Sequence, residues 1–204
     1  MSTDYIETLT RNWECHIGPR HPKAPTVISL FAGAGGSSLG YSMAGFNELL
    51  AVEWDKDIAA ILSKNFPRLP VFCGDISKLS SEYIFRTCDI RKGELSVLDG
   101  SPPCQGFSVS GKRKFDDPRN QLFKEFIRLL KDLNPMAFVM ENVAGLVRGK
   151  MKLIFTEILK ALKDCGYKVR CQLMNAKYFN VPQSRERTIF IGIREDIDTE
   201  PGHP

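Results

Sequence analysis

The 204-residue chain has no C-x-x-C pair, and its three histidines form no cluster with its six cysteines, Cys15, Cys73, Cys88, Cys104, Cys165 and Cys171. That pattern points to neither a zinc site nor a disulfide framework, so no metal is expected and the thiols read as reduced. Five of them fit the role of small apolar residues. No apolar run approaches the roughly 20 residues of a bilayer span. The opening MSTDYIETLTRNWECH lacks the charged and apolar blocks of a signal peptide. An intracellular, soluble protein without a membrane partner is therefore expected. Internal repeats and low-complexity tracts are also lacking, while 43% hydrophobic and 25% charged residues is ordinary globular composition. The net charge of +4 permits a polyanionic partner without demonstrating one.

Residues 1–25 carry little apolar periodicity and end in the proline-rich GPRHPKAP, which reads as a tail outside the core. From Thr26 the texture changes. TVISLFAG predicts a strand, SSLGYSMAGF a helix, ELLAVEWD a second strand, and KDIAAILSKNFP a helix closed by Pro67. VFCGDI and LSVLDGSPP supply a third and fourth strand, and AFVMENV a fifth. RNQLFKEFIRLLKDLNP between them places Leu122, Phe123, Phe126, Ile127, Leu129 and Leu130 on one apolar helical face. MKLIFTEILKALKDCGY predicts another helix, and KVRCQLMNA and TIFIGIRED the last two strands. Strands alternating with helices imply an α/β fold with a mostly parallel, doubly wound sheet.

In such a sheet ligands sit beyond the carboxyl ends of the strands. FAGAGGSSLG occupies the first strand-to-helix turn, where Gly33, Gly35 and Gly36 allow close backbone approach and the following helix offers free N–H groups. Phe31, Ala32 and Leu39 belong to the same stretch. Glu53 ends the second strand twenty positions after Gly33, where a carboxylate can accept ribose hydroxyls. Asp75 ends the third, within reach of an adenine amino group, with Trp54 and Ile76 as apolar plates beside them. A dinucleotide fingerprint needs glycine where this chain has Ser38, so S-adenosylmethionine suits the turn better than NAD.

DGSPPCQGFSVSG puts Cys104 on the same rim. Pro102 and Pro103 restrict φ and remove two N–H donors, which aims the sulfur. An ordinary thiol is only a few per cent thiolate at neutral pH. Lys112, Arg113, Lys114 and Arg119 downstream could supply positive charge, or form a solvated basic loop. Glu141 ends the fifth strand in MENV, a place suited to a carboxyl group that must donate a proton, with Asn142 bracing the turn. A partner for a basic residue is the plainer role for Glu141. QSRER brings Gln183, Arg185 and Arg187 before the last strand, where the two arginines share one face and can serve a carbonyl oxygen, a phosphate, or surface ion pairs.

FAGAGGSSLGY, the acid at Glu53, GDI, GSPPCQGFS, DPRNQLF, MENV and QSRER occur in an order and spacing that resembles the DNA (cytosine-5) methyltransferase family over about residues 26 to 194. The resemblance implies a Rossmann-like methyltransferase domain over 26–204 that uses S-adenosyl-L-methionine. It implies Cys104 as nucleophile, Glu141 on N3 and N4 of cytosine, Arg187 on its O2, and Arg185 organising the thiol. The cofactor surface would include Pro103, and Gln105, Ser108, Asn142 and Gln183 would contact the substrate. Carbon 5 of cytosine is a poor nucleophile until a thiolate adds at carbon 6, and the base must leave its stack to be reached.

Family members usually continue into a target-recognition region and return one further helix to the cofactor site. This chain ends before both, so it is expected to be a shortened chain, a fragment, or half of a split enzyme needing a second chain, and weakly active alone. Two other readings stand beside the DNA enzyme. One is a transfer RNA cytosine-5 methyltransferase, and the other a nonproductive subunit that keeps the fold.

Overall fold

The computed structural model describes residues 20–103, 121–147 and 152–204, together with 7, 10, 11, 13–15, 17 and 18 of the leading segment. The first strand, β1 (Thr26–Leu30), runs into a turn and helix α1 (Gly36–Met43). β2 (Asn47–Glu53), α2 (Lys56–Asn65), β3 (Val71–Cys73) and α3 (Ser81–Cys88) follow. Next come β4 (Val97–Gly100), α4 (Gln121–Leu133), β5 (Ala137–Val143) and α5 (Lys152–Lys163). β6 (Tyr167–Asn175) and β7 (Glu186–Arg194) complete the sheet.

Its strand order is β3-β2-β1-β4-β5-β7-β6. The five strands from β3 to β5 pair in parallel, whereas β7 is antiparallel to both β5 and β6. The expected α/β class with a mostly parallel sheet is therefore present, and the antiparallel insertion is the part the apolar pattern does not reveal. An alternating strand reads the same in either direction.

Helix ends explain the local choices. Asp55 caps α2, its Oδ1 accepting from the N–H groups of Asp57 and Ile58 at 2.9 and 3.0 Å. Ser80 caps α3, a helix absent from the sequence reading because SEYIFRTC is short and buries only Ile84. One face of the sheet carries the main core, with Leu30, Val52, Leu98, Phe126, Phe138 and Phe190 fully or almost fully buried. Gly192 lies opposite Phe138 in the β5–β7 ladder, and a Cβ there would stand 2.0 Å from the Phe138 ring. The missing side chain is what lets that ring pack flat on the neighbouring strand.

The other face holds Ala51, Leu62 and Phe66, with Trp13 and Ile17 packed against them. The Trp13 and Phe66 rings lie 5.8 Å apart. The leading segment, expected as a tail, thus contributes at least two side chains to an apolar layer. Among the described residues no helix is long and apolar enough to cross a membrane.

Candidate active site

β1 pairs with β2 on one side and β4 on the other, so the strand order reverses between β1 and β4, the switch point beyond whose carboxyl ends ligands bind in such sheets. The turn after β1 is built from unusual backbone. Phe31, Gly33 and Gly35 have φ of 58°, 58° and 98°. A phenylalanine in the left-handed region stores strain of about 1–3 kcal/mol, which the surrounding bonds must hold. Ala32 donates to the carbonyl of Val52 at 3.0 Å, and Asn65 Nδ2 donates to the carbonyl of Ala34 at 2.9 Å. Gly33 and Gly36 face open space, since a Cβ at either would meet nothing within 4 Å. Gly35 differs, because a Cβ there would lie 2.5 Å from Phe66. Its bareness serves packing, whereas Gly33 and Gly36 leave room for a ligand. Leu39, half-buried, packs against the apolar layer with Phe66.

Glu53 is engaged by the main chain. Its Oε2 accepts from Gly33 N–H at 2.8 Å, and its Oε1 from Trp54 and Asp55 N–H at 2.9 and 3.0 Å. One carboxylate thereby ties the end of β2 to the glycine turn, and has limited capacity left for a ligand hydroxyl. Asp75 accepts from Ser77 N–H at 2.9 Å, and that bond, with the nearby Lys78, holds its carboxyl below the usual range. Trp54 is 74% exposed beside this edge, but Ile76 is a core residue at 4%. The pair of apolar plates reduces to the tryptophan, because Ile76 turns inward where Arg128 of α4 donates to its carbonyl at 3.1 Å.

Beneath the turn lies a polar layer that the sequence reading missed. Asp99 of β4, 8% exposed, accepts from Tyr41 Oη at 3.3 Å, while Ser38 Oγ donates to Glu48 at 3.0 Å. Burial pushes the Asp99 carboxyl up to about 7, hydrogen bonds from Tyr41 and Ser37 offsetting part of the shift. Nearby Glu48 and Glu141 add to the upward push. Burial also raises Tyr41 and Glu48. The visible signal was an acid inside the apolar run LSVLDG.

Farther along the rim, Glu141 near the end of β5 meets two arginines, Arg187 of β7 and Arg185 just before it. Arg187 Nε lies 2.6 Å from Glu141 Oε1, and Arg185 Nη2 lies 3.9 Å from the same oxygen. The antiparallel ladder makes this meeting, since Val143 opposes Arg187 and Glu141 opposes Ile189. All three side chains keep partial solvent contact, from 26% for Arg187 to 51% for Arg185. Asn142 is buried and donates from Nδ2 to the carbonyl of Pro102 at 3.2 Å, while its Oδ1 accepts from Val143 N–H at 2.8 Å. It therefore braces the segment leaving β4 rather than facing the open rim. Pro102 is buried, Pro103 is exposed, and Gln183 is exposed on the β6–β7 connection. Cys104, Gln105, Ser108 and the cations from Lys112 to Arg119 lie outside the described residues.

A family model for C-5 cytosine-specific DNA methylase matches residues 25–203. The chain is 45% identical over 184 residues to the Type II methyltransferase M1.HphI of Haemophilus parahaemolyticus, covering 87% of this chain and 49% of that protein. It is 41% identical over 177 residues to the Type II methyltransferase M.AquIA of a Picosynechococcus species, covering 82% and 71%. The crystal structure of a protein encoded within an E. coli prophage superposes with a TM-score of 0.75 at 33% identity, over 88% of this chain and 49% of that one. This chain thus spans about half the length of M1.HphI, and more of M.AquIA.

Proposed function

The chain belongs to the C-5 cytosine-specific DNA methylase family, and from that premise we propose that it carries the catalytic face of an enzyme that methylates carbon 5 of cytosine in DNA. The reading is supported chiefly by one juxtaposition: Glu141, Arg187 and Arg185 meet on the same rim as the open glycine turn. The turn fits S-adenosylmethionine, with free space over Gly33 and Gly36, an exposed Trp54 for the adenine, and Asp75 at the adjoining strand end. That cofactor supplies an electrophilic methyl group.

The chain's own residues do the rest. The thiolate of Cys104 bonds to carbon 6 of an extruded cytosine, and the electron pair displaced from the 5,6 double bond makes carbon 5 nucleophilic. Glu141, once protonated, donates to N3 and accepts from the N4 amino group, and so stabilises the charge built up by that addition. Arg187, held by Glu141, presents its remaining N–H groups to O2, and Arg185 lies beside them. With the cofactor bound, its methyl group would pass to carbon 5, leaving S-adenosylhomocysteine. A base would then take the carbon 5 proton, and that C–H electron pair would restore the 5,6 double bond as the bond from carbon 6 to sulfur breaks. Asn142 acts through the main chain by fixing Pro102, two residues before the thiol. The chain covers 49% of M1.HphI and 43% of M.XorII, so sequence choice on DNA is assigned to polypeptide beyond these residues, on the same chain or a second one.

Duplex DNA containing 5-fluorocytosine tests the reading, because the fluorine cannot leave as the proton does. With S-adenosylmethionine present, the expected result is a covalent complex on Cys104, seen as a mass shift that Cys104→Ser abolishes. An adduct formed by Cys104→Ser, or one formed with RNA and not DNA, would overturn it.

A further inference from the structure

Between β6 and β7 the chain rises in an arch that its own bonds hold together. Ala176 N–H donates to the carbonyl of Arg185 at 2.9 Å, and Asn175 Nδ2 donates to Ser184 Oγ at 3.2 Å across the neck. Asn175 Oδ1 also accepts from Lys177 N–H at 3.2 Å, capping the short helical turn Ala176–Phe179, and Asn180 ends it at φ 59°. This braced arch turns apolar side chains outward. Tyr178 is 74% exposed, and Phe179 and Val181 are each 43% exposed. Val143, at the end of β5, is also exposed, at 47%. Such a cluster on a braced loop marks a contact surface rather than fraying.

Three observations select the partner. β6 runs parallel to β5, so Asn175 ends on the same rim as Val143, two strand spacings or about 10 Å away across β7. The arch therefore stands on the rim that carries Glu141. The charge also suits a polyanion, since residues 176–187 carry Lys177, Arg185 and Arg187 against Glu186 alone. Finally, the Lys177 ammonium sits 4.8 Å from the Tyr178 ring centroid, so one ring face meets a cation while much of the ring meets solvent. An aromatic ring beside a cation is the arrangement that stacks a base and neutralises its phosphate.

Resting on the DNA reading above, we propose that Tyr178 is a stacking platform for a base flanking the extruded cytosine, with Lys177 pairing the adjacent phosphate. The platform is separate from the groups that hold the cytosine itself, and tolerates any base because every base has a π-face.

The test uses the full chain and a mixed-sequence duplex carrying 5-fluorocytosine, with 5-iododeoxyuridine in place of thymidine. Illumination is expected to crosslink the peptide containing Tyr178. Tyr178→Leu should weaken binding about tenfold, the equivalent of about 1.4 kcal/mol, and Tyr178→Phe should restore it. The salt slope should not change in Tyr178→Leu, but should fall by about 0.9 in Lys177→Gln. Equal binding and crosslinking by the parent and Tyr178→Leu, while the Cys104 adduct still forms, would overturn the platform and leave the function reading standing. A Tyr178 crosslink without any Cys104 adduct would overturn the function reading, and with it the flanking-base role. A ring shielded from crosslinking because another polypeptide covers the arch also overturns the platform.

Discussion

The two halves of the rim are built by different physics. On the parallel side, β1 and β2 hold the glycine turn through main-chain bonds, with Glu53 accepting three backbone N–H groups and Gly35 packed against Phe66. On the antiparallel side, β5 and β7 hold Glu141, Arg187 and Arg185 through side chains that are all partly wet. The first half is made of residues that also hold the fold together. The second is made of residues that mostly hold one another. Substitutions on the parallel side should therefore register as stability, and those on the antiparallel side as activity.

The sharpest test of that division is Glu141→Ala. It should slow adduct formation by about 10²–10³, while urea unfolding stays within about 1 kcal/mol of the parent, since a partly exposed ion pair contributes little to stability. A large loss of stability would erase the contrast. Gly35→Ala probes the other side. With φ at 98° and Phe66 2.5 Å from the new methyl group, a loss of about 3 kcal/mol is expected from the urea midpoint. A neutral result would mean the turn relaxes freely, and the parallel half would then resemble its neighbour.

Asp99→Asn examines the layer beneath both halves. The Asp99 carboxyl titrates near 7 when folded, against an ordinary 3.8. Between these values the unfolded chain has lost the proton that the folded chain keeps, so stability declines as pH rises from about 4 to 7 and levels off above. The span is on the order of 4 kcal/mol at most, at about 1.4 kcal/mol for each unit of pKa. The asparagine variant should lack that decline and gain on the parent between pH 5 and pH 8 in urea titrations. Parallel pH profiles for the two proteins would show that Asp99 ionises freely.

Much of this was legible in the residues. Strand-ending acids at Glu53, Asp75 and Glu141 map to one rim because parallel strands bring their carboxyl ends together, whereas Arg185 and Arg187, at the start of β7, reach that rim only because β7 runs antiparallel. The direction of β7 was not legible, although it is what brings Arg187 to Glu141. Its TIFIGIR run alternates identically whichever way it is paired. Ile76 illustrates the same limit from the other side. An apolar residue after a strand reads as a surface for a ligand until packing shows it filled by the core. Gly192 is a further case, since only the ladder reveals the Phe138 ring lying across it.

By itself the sequence determined the class of fold, the order of elements and the set of groups available at the rim, because spacing along the chain is enough to place a residue at a strand end. Tertiary structure alone decided what each acid does. Glu53 is committed to backbone amides, Glu141 to two guanidinium groups, and Asp99 to a buried place that raises its carboxyl well above the usual range. Those fates depend on burial and on partners such as Gly33, Arg187 and Tyr41, twenty to nearly sixty residues away, which no local pattern encodes.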